Sequence, residues 1–176
     1  GLEHVEGRHA TMEEIQLAHS PGYIEEVRYL AENGGGALDA DTVVSEGSWD
    51  AARAAVGCVL DAVDMAVGGQ ARSFCAVRPP GHHACRRQAM GFCFFNNVAV
   101  AAKYALERHG LERVAIVDFD VHHGNGTEDI FEGDPHVLMA STFQHPFYPY
   151  SGTEDPAPNM VNVPLSAGAG SKEFRE

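Results

Sequence analysis

The stretch VAIVDFDVHHGNG, residues 114–126, runs from an apolar segment into two aspartates, two histidines and a glycine-flanked asparagine. In an extended strand alternate side chains share a face. Asp118, Asp120 and His122 then project to one side, and Phe119 and Val121 to the other. Carboxylates this close together repel, and protonation, hydrogen bonds or a cation must relieve the repulsion. The D-x-H spacing suits zinc, which takes Asp oxygen and His nitrogen. The plainer alternative is a strand-to-helix loop whose charges face water.

Outward from this stretch, strands alternate with helices. Residues 11–33 carry helical spacing broken at Ser20-Pro21-Gly22, which predicts two short helices, and residues 32–45 read as loop. A long helix is predicted over 49–69, capped by Ser48 and stopped by Gly68 and Gly69. A strand is expected at 73–80, ended by prolines, then a His-containing loop and a helix over 94–110. The second strand is 114–120, followed by a short helix at 127–133, a third strand at 136–143 and a fourth at 160–166. Nearly continuous apolar strands alternating with helices imply an α/β domain whose parallel sheet is covered by helices. Function in such sheets gathers at the carboxyl ends of strands, where RPPGHHA, DVHHGNG and STFQHPFYPYSG all fall.

The 176 residues are one domain's worth of chain, 44% hydrophobic and 21% charged, which fits a soluble globular protein. No apolar run reaches the length of a membrane span and no signal pattern opens the chain. Cys58, Cys75, Cys85 and Cys93 form no C-x-x-C pair and read as reduced thiols of a cytoplasmic protein. With 25 acidic against 12 basic residues and a net charge of −13, nucleic acid is disfavoured and a cationic substrate favoured.

Tandem His82 and His83, after the turn formed by Pro79, Pro80 and Gly81, suit proton transfer or metal binding. Phe94 and Phe95 read as core. Phe92, Phe147 and Tyr148 fall near the polar clusters, and Phe92 is a candidate channel wall.

Taken together and in this order, RPPGHHA, GFCFFNNVAVAA, VAIVDFDVHHGNGTEDIF, HPFYPYSG and VNVPL resemble the histone deacetylase and acetylpolyamine amidohydrolase superfamily, from about residue 8 to the end. Asn125, where many members have aspartate, resembles the class II branch. Arginases share the fold, but their metal motifs do not match these strings. The resemblance implies an arginase/deacetylase-like fold and zinc-dependent hydrolysis of acetyl- or acyl-lysine side chains or acetylpolyamines. Asp120 and His122 are then zinc ligands, His83 the general base and acid, and His82 an electrostatic partner held by Asp118. Asn125 accepts a hydrogen bond from His83 and, being neutral, leaves His83 a lower pKa than a carboxylate would. Phe92 and Tyr148 form the sides of an apolar channel, Gly91 lets the substrate approach the backbone, and Asp41 matches a rim aspartate. A structural potassium is implied at Asp118, Asp120, His122, Ser141 and Thr142. Ferrous iron is an alternative to zinc, since the same ligand types accept both.

The family's second metal-binding aspartate and its oxyanion-stabilising tyrosine have no counterpart here. The chain is therefore expected to be an amino-terminal half, incomplete on its C-terminal side, ending inside the start of a helix and inactive alone. Its open sheet edge suits pairing with another copy, and His136 and His145 are candidate substitute ligands. The alternative function is a non-catalytic module of the same fold that binds acylated or cationic ligands.

Overall fold

The computed structural model describes residues 3–70 and 72–175. Helix α1 (Met12–Ile15) starts at Thr11, whose hydroxyl accepts the Glu14 N–H while the Glu14 carboxylate accepts the Thr11 N–H. This reciprocal arrangement satisfies two amides that have no partner inside the helix. Helix α2 (Pro21–Glu32) begins on its proline, so the predicted break at Ser20-Pro21-Gly22 is present. The loop expected at 32–45 holds a minimal antiparallel pair, β1 (Gly36–Ala37) with β2 (Val43–Val44).

Helix α3 (Ser48–Val67) buries Ala52, Ala55, Val56 and Leu60. Gly47 occupies the cap position, one residue before the expected Ser48, whose hydroxyl instead accepts the Ser45 N–H at 2.9 Å. A side chain at Gly57 would collide with the Arg8 carbonyl, so glycine there lets the amino-terminal segment cross close to the helix. Helix α4 (Asn97–His109) is capped by the Asn96 side chain, which accepts the Ala99 N–H at 3.1 Å, and ends on left-handed Gly110.

Strand β3 (Val114–Asp118) pairs in parallel with β4 (Val137–Gln144), which pairs in parallel with β5 (Met160–Leu165), giving the order β3-β4-β5. Helix α5 (Asn125–Phe131) links β3 to β4. Pro164 lacks the N–H for a second neighbour, an interruption tolerated because β5 is an edge strand. The last described residues form a 3-10 turn, Glu173–Arg175, where a helix start was expected.

One expectation needs correction. The strand expected at 73–80 is absent: Phe74 is 92% exposed, and an extended run becomes a strand only with a hydrogen-bonded neighbour, which this segment lacks among the described residues. The parallel sheet flanked by helices is present as expected, and the described residues cover one of its faces. Strand β4 alternates, with Val137, Met139, Ser141 and Phe143 buried and Leu138 exposed, while Val117, Phe119, Val161 and Val163 lie open. The covered face joins a core built around Phe95, Phe131, Ile24, Leu60, Val100 and Met139. Phe94 and Phe95 are buried as expected, and fully burying one such side chain is worth about 2–3 kcal/mol. Among the described residues no helix is long and apolar enough to cross a membrane.

Candidate active site

The loop carrying His82 and His83 is held by two helix starts. At the start of α4, Asn97 donates to the Pro79 carbonyl at 3.1 Å and Asn96 to the Ala84 carbonyl at 3.3 Å. At the start of α5, the Gly126 and Thr127 amides both donate to the His82 carbonyl, so the loop satisfies helix-end amides that lack intrahelical partners. The two histidines stand with ring centroids 4.0 Å apart.

Each histidine has its own partner. His82 Nδ1 donates to Asp118 Oδ2 at 2.9 Å, and His83 Nδ1 lies 2.7 Å from Asn125 Oδ1. Burial alone would raise the Asp118 carboxyl. The hydrogen bonds from His82 and from the Asp120 N–H outweigh burial and hold Asp118 below the usual carboxylate range. His83 is pushed down to about 4, first by burial and then by the neighbouring charge of His82. The Asn125 hydrogen bond opposes that shift.

Asp120 and His122 come together beyond the end of β3. Asp120 Oδ1 accepts the His122 N–H at 2.8 Å and lies 3.1 Å from His122 Nδ1 and 3.9 Å from His82 Nε2. An oxygen and a nitrogen donor converging beside the histidine pair are the donor types zinc takes, so both residues fit as ligands. No group of three or more His, Cys, Asp or Glu side chains among the described residues is arranged to hold a metal ion. His136 does not supply a third donor. It sits at the amino end of β4, with Nδ1 on the Glu112 carbonyl at 2.9 Å, opposite the strand ends that carry the site. His145 lies just past the carboxyl end of β4, its Nδ1 buried without a partner.

Ser141 stands directly across the ladder from Asp118. Its hydroxyl and that of Thr142 are buried without hydrogen-bond partners among the described residues. The Ser141 hydroxyl, at the strand position paired with Asp118, is an oxygen donor of the type a small cation takes.

The aromatic residues divide. Tyr148 meets the rings of His83 and His122 edge-on at 5.2 and 5.9 Å, and its hydroxyl, pushed up to about 12 mainly by burial, has no partner. Phe147 stacks on His122 at 5.0 Å with 8° between planes. Gly91 and Phe92 are both left-handed in the turn Met90–Cys93, with φ of 58° and 65°. Gly91 is required, because a Cβ there would lie 2.3 Å from the His83 ring. The exposed Phe92 is anchored by its N–H on Thr42 Oγ1 at 3.1 Å, and Thr42 in turn donates to Asp41 at 3.0 Å. Asp41 and Phe92 line one cavity of about 380 Å³ together with Arg78 and Phe94.

Several supporting residues escaped the sequence reading. Thr42, Asn96, Asn97, Met90 and Cys85 hold the site through contacts between residues 12 to 50 positions apart in the chain, which periodicity does not reveal. The doubled asparagine at the head of a predicted helix was the one available signal.

Comparison with known proteins agrees with this geometry. Residues 1–176 match the family model described as a histone deacetylase domain. An uncharacterized protein of Synechocystis sp., slr0245, is 50% identical over 165 residues, covering 92% of this chain and 54% of that protein. A histone deacetylase-like amidohydrolase of Pseudomonas aeruginosa is 41% identical over 175 residues, covering 95% and 46%. The crystal structure of the HDA15 HD domain superposes with a TM-score of 0.85 at 39% identity, covering 91% of this chain and 49% of that one. The chain spans about half the length of the curated relatives it matches. A histidine pair braced by Asp118 and Asn125 beside Asp120 and His122, on a parallel sheet that superposes on a deacetylase domain, thus comes with a family match along the entire sequence: the chain belongs to the histone deacetylase family.

Proposed function

We propose that this chain is the amino-terminal part of a zinc-dependent amidohydrolase that removes acetyl or acyl groups from lysine side chains or polyamines. The observation that carries the reading is the pair of differently braced histidines, His82 on a carboxylate and His83 on a neutral amide, beside Asp120 and His122. Asp120 and His122 would hold the zinc, with a further ligand from outside the described residues. Zinc when bound supplies Lewis acidity toward the acyl carbonyl and lowers the pKa of a water.

The chain's own residues supply the proton path and the walls. His83, with Nδ1 occupied by Asn125, takes the proton at Nε2 as water adds to the acyl carbon. The C–N bond breaks and the same nitrogen returns the proton to the departing amine. His82, held by the Asp118 carboxylate, is the electrostatic partner of His83 next to the developing negative charge. Tyr148 and Phe92 flank the substrate's alkyl stem, Gly91 lets it approach, and Asp41 at the rim faces a cationic or peptide-backbone group. The acidic surface supports a cationic substrate and opposes nucleic acid.

The orphaned Ser141 hydroxyl opposite Asp118 supports a structural potassium at Asp118, Asp120, His122, Ser141 and Thr142. The four free thiols suit a reducing, cytoplasmic setting.

The test uses the full-length protein with acetyl-lysine peptide and acetylpolyamine substrates. Hydrolysis is expected, abolished by chelation, restored by zinc in preference to ferrous iron, and lost in Asp120→Ala and His122→Ala. Hydrolysis indifferent to chelators would overturn the metal assignment. Tight ligand binding without turnover would show a non-catalytic binding module instead.

A further inference from the structure

We infer that Met90 and Cys85 are positioning residues whose sulfur atoms orient the Asn125 amide and thereby set the ring tautomer of His83. A primary amide is nearly symmetric in shape, with an acceptor at one end and two donors at the other, so surroundings alone decide which end faces which neighbour. Asn125 has three polar neighbours. His83 Nδ1 lies 2.7 Å from one end, while Met90 Sδ at 3.1 Å and Cys85 Sγ at 3.6 Å lie against the other.

A thioether carries no proton and can only accept. The end facing Met90 must therefore be the NH2, which leaves Oδ1 toward His83. Cys85 reinforces the choice, because its own S–H points to the His83 carbonyl at 3.8 Å and leaves sulfur lone pairs for the amide. Burial pushes the Cys85 thiol up to about 11, so it keeps that proton. With only an acceptor facing it, His83 Nδ1 carries the hydrogen and Nε2 is left bare.

A carboxylate at position 125 would impose the same tautomer unaided, since it has no hydrogen to offer. An amide does so only if something accepts its NH2, and the two sulfurs fill that role. The turn Met90–Cys93, closed by the Cys93 N–H on the Met90 carbonyl at 3.0 Å, brings Met90 into place. The catalytic consequence rests on the proposed role of His83 in moving the proton. The tautomer itself does not.

The experiment uses the full-length protein with 15N-labelled histidine. Two-bond 1H–15N spectra distinguish a protonated ring nitrogen from a bare one, and His83 is assigned by the signal lost in His83→Gln. In the wild type, His83 is expected to carry hydrogen on Nδ1 only. In Met90→Leu, and more fully in Met90→Leu/Cys85→Val, a mixture of tautomers appears as the amide turns over. Adding Asn125→Asp to either variant returns the single Nδ1–H form. In parallel, Met90→Leu lowers kcat about tenfold, the usual scale for a supporting hydrogen bond, with KM changed less than about twofold, and Asn125→Asp restores it. An unchanged wild-type tautomer in both sulfur variants overturns the inference. So does failure of Asn125→Asp to rescue a well-folded variant. A protein that shows the tautomer changes but hydrolyses no acyl amide leaves the positioning intact and overturns the proposed function.

Discussion

At the scale of single residues, the site is sensitive to additions too small to read as damage. Gly91→Ala adds one methyl that would stand 2.3 Å from His83 and places a side chain on a backbone at φ of 58°. The left-handed conformation and the overpacking each cost about 1–3 kcal/mol. The variant is expected to melt several degrees lower and to lose most hydrolytic activity in the full-length protein, and unchanged melting and rate would refute the contact. His19 sits away from the site, 1% exposed, with Nε2 accepting the Asn96 N–H at 2.9 Å. Burial holds its pKa at about 4, below the ordinary 6.5. The unfolded chain therefore binds a proton below pH 6.5 that the folded chain refuses until about pH 4, and stability falls as pH drops through that window. The loss is roughly 3 kcal/mol when complete. Urea unfolding of wild type and His19→Gln at pH 7.5 and pH 4.5 should show a clearly smaller pH-dependent loss in the variant.

At the scale of elements, the site belongs to junctions. His123 is buried with Nε2 donating to Glu128 on α5 at 2.6 Å and Nδ1 against Ser151 Oγ at 2.8 Å, while Asn162 of β5 also donates to Glu128. This chain ties the loop carrying Phe147 and Tyr148 to the helix carrying Asn125. Ser151→Ala leaves a buried ring nitrogen unpaired, at about 1–3 kcal/mol. Amide exchange should accelerate in residues 145–152 before it does in α4, and uniform acceleration would show that the bond is not local. The β3–β4 ladder holds the other junction, where the orphaned Ser141 hydroxyl faces Asp118. Replacing potassium with tetramethylammonium is expected to lower the melting temperature of the wild type, and Ser141→Ala should remove most of that difference. Equal potassium dependence in both proteins would exclude Ser141 from the cation site.

At the scale of the whole molecule, the chain buries one face of its sheet and leaves the other apolar. Phe119 is 76% and Val117 69% exposed, with Leu138, Val161 and Val163 beside them, and the outer edges of β3 and β5 are unpaired among the described residues. Open apolar sheet with free edges associates. The 176-residue chain on its own is expected to bind a hydrophobic dye strongly and to elute as oligomers in light scattering. The full-length protein should do neither. A monodisperse, dye-silent 176-residue monomer would mean that this face is covered some other way.

The sequence by itself determined what local chemistry dictates. Alternating apolar runs and cap residues placed most helix and strand ends within a residue or two, with α4 starting three residues later than expected, and the strings around His82, His83, Asp118 and Asp120 carried the family resemblance. It missed where neighbours decide. Residues 73–80 have the composition of a strand, yet a strand exists only in a ladder, and none of the described residues pairs with it. The apolar runs of β3 and β4 were enough for a parallel sheet flanked by helices, but not for which face these residues leave open, because burial is a property of what packs above. Which way Asn125 faces lay in no motif. It is decided by Met90 and Cys85, 35 and 40 residues away, because only a folded chain sets a proton-free sulfur against an amide that could otherwise point either way.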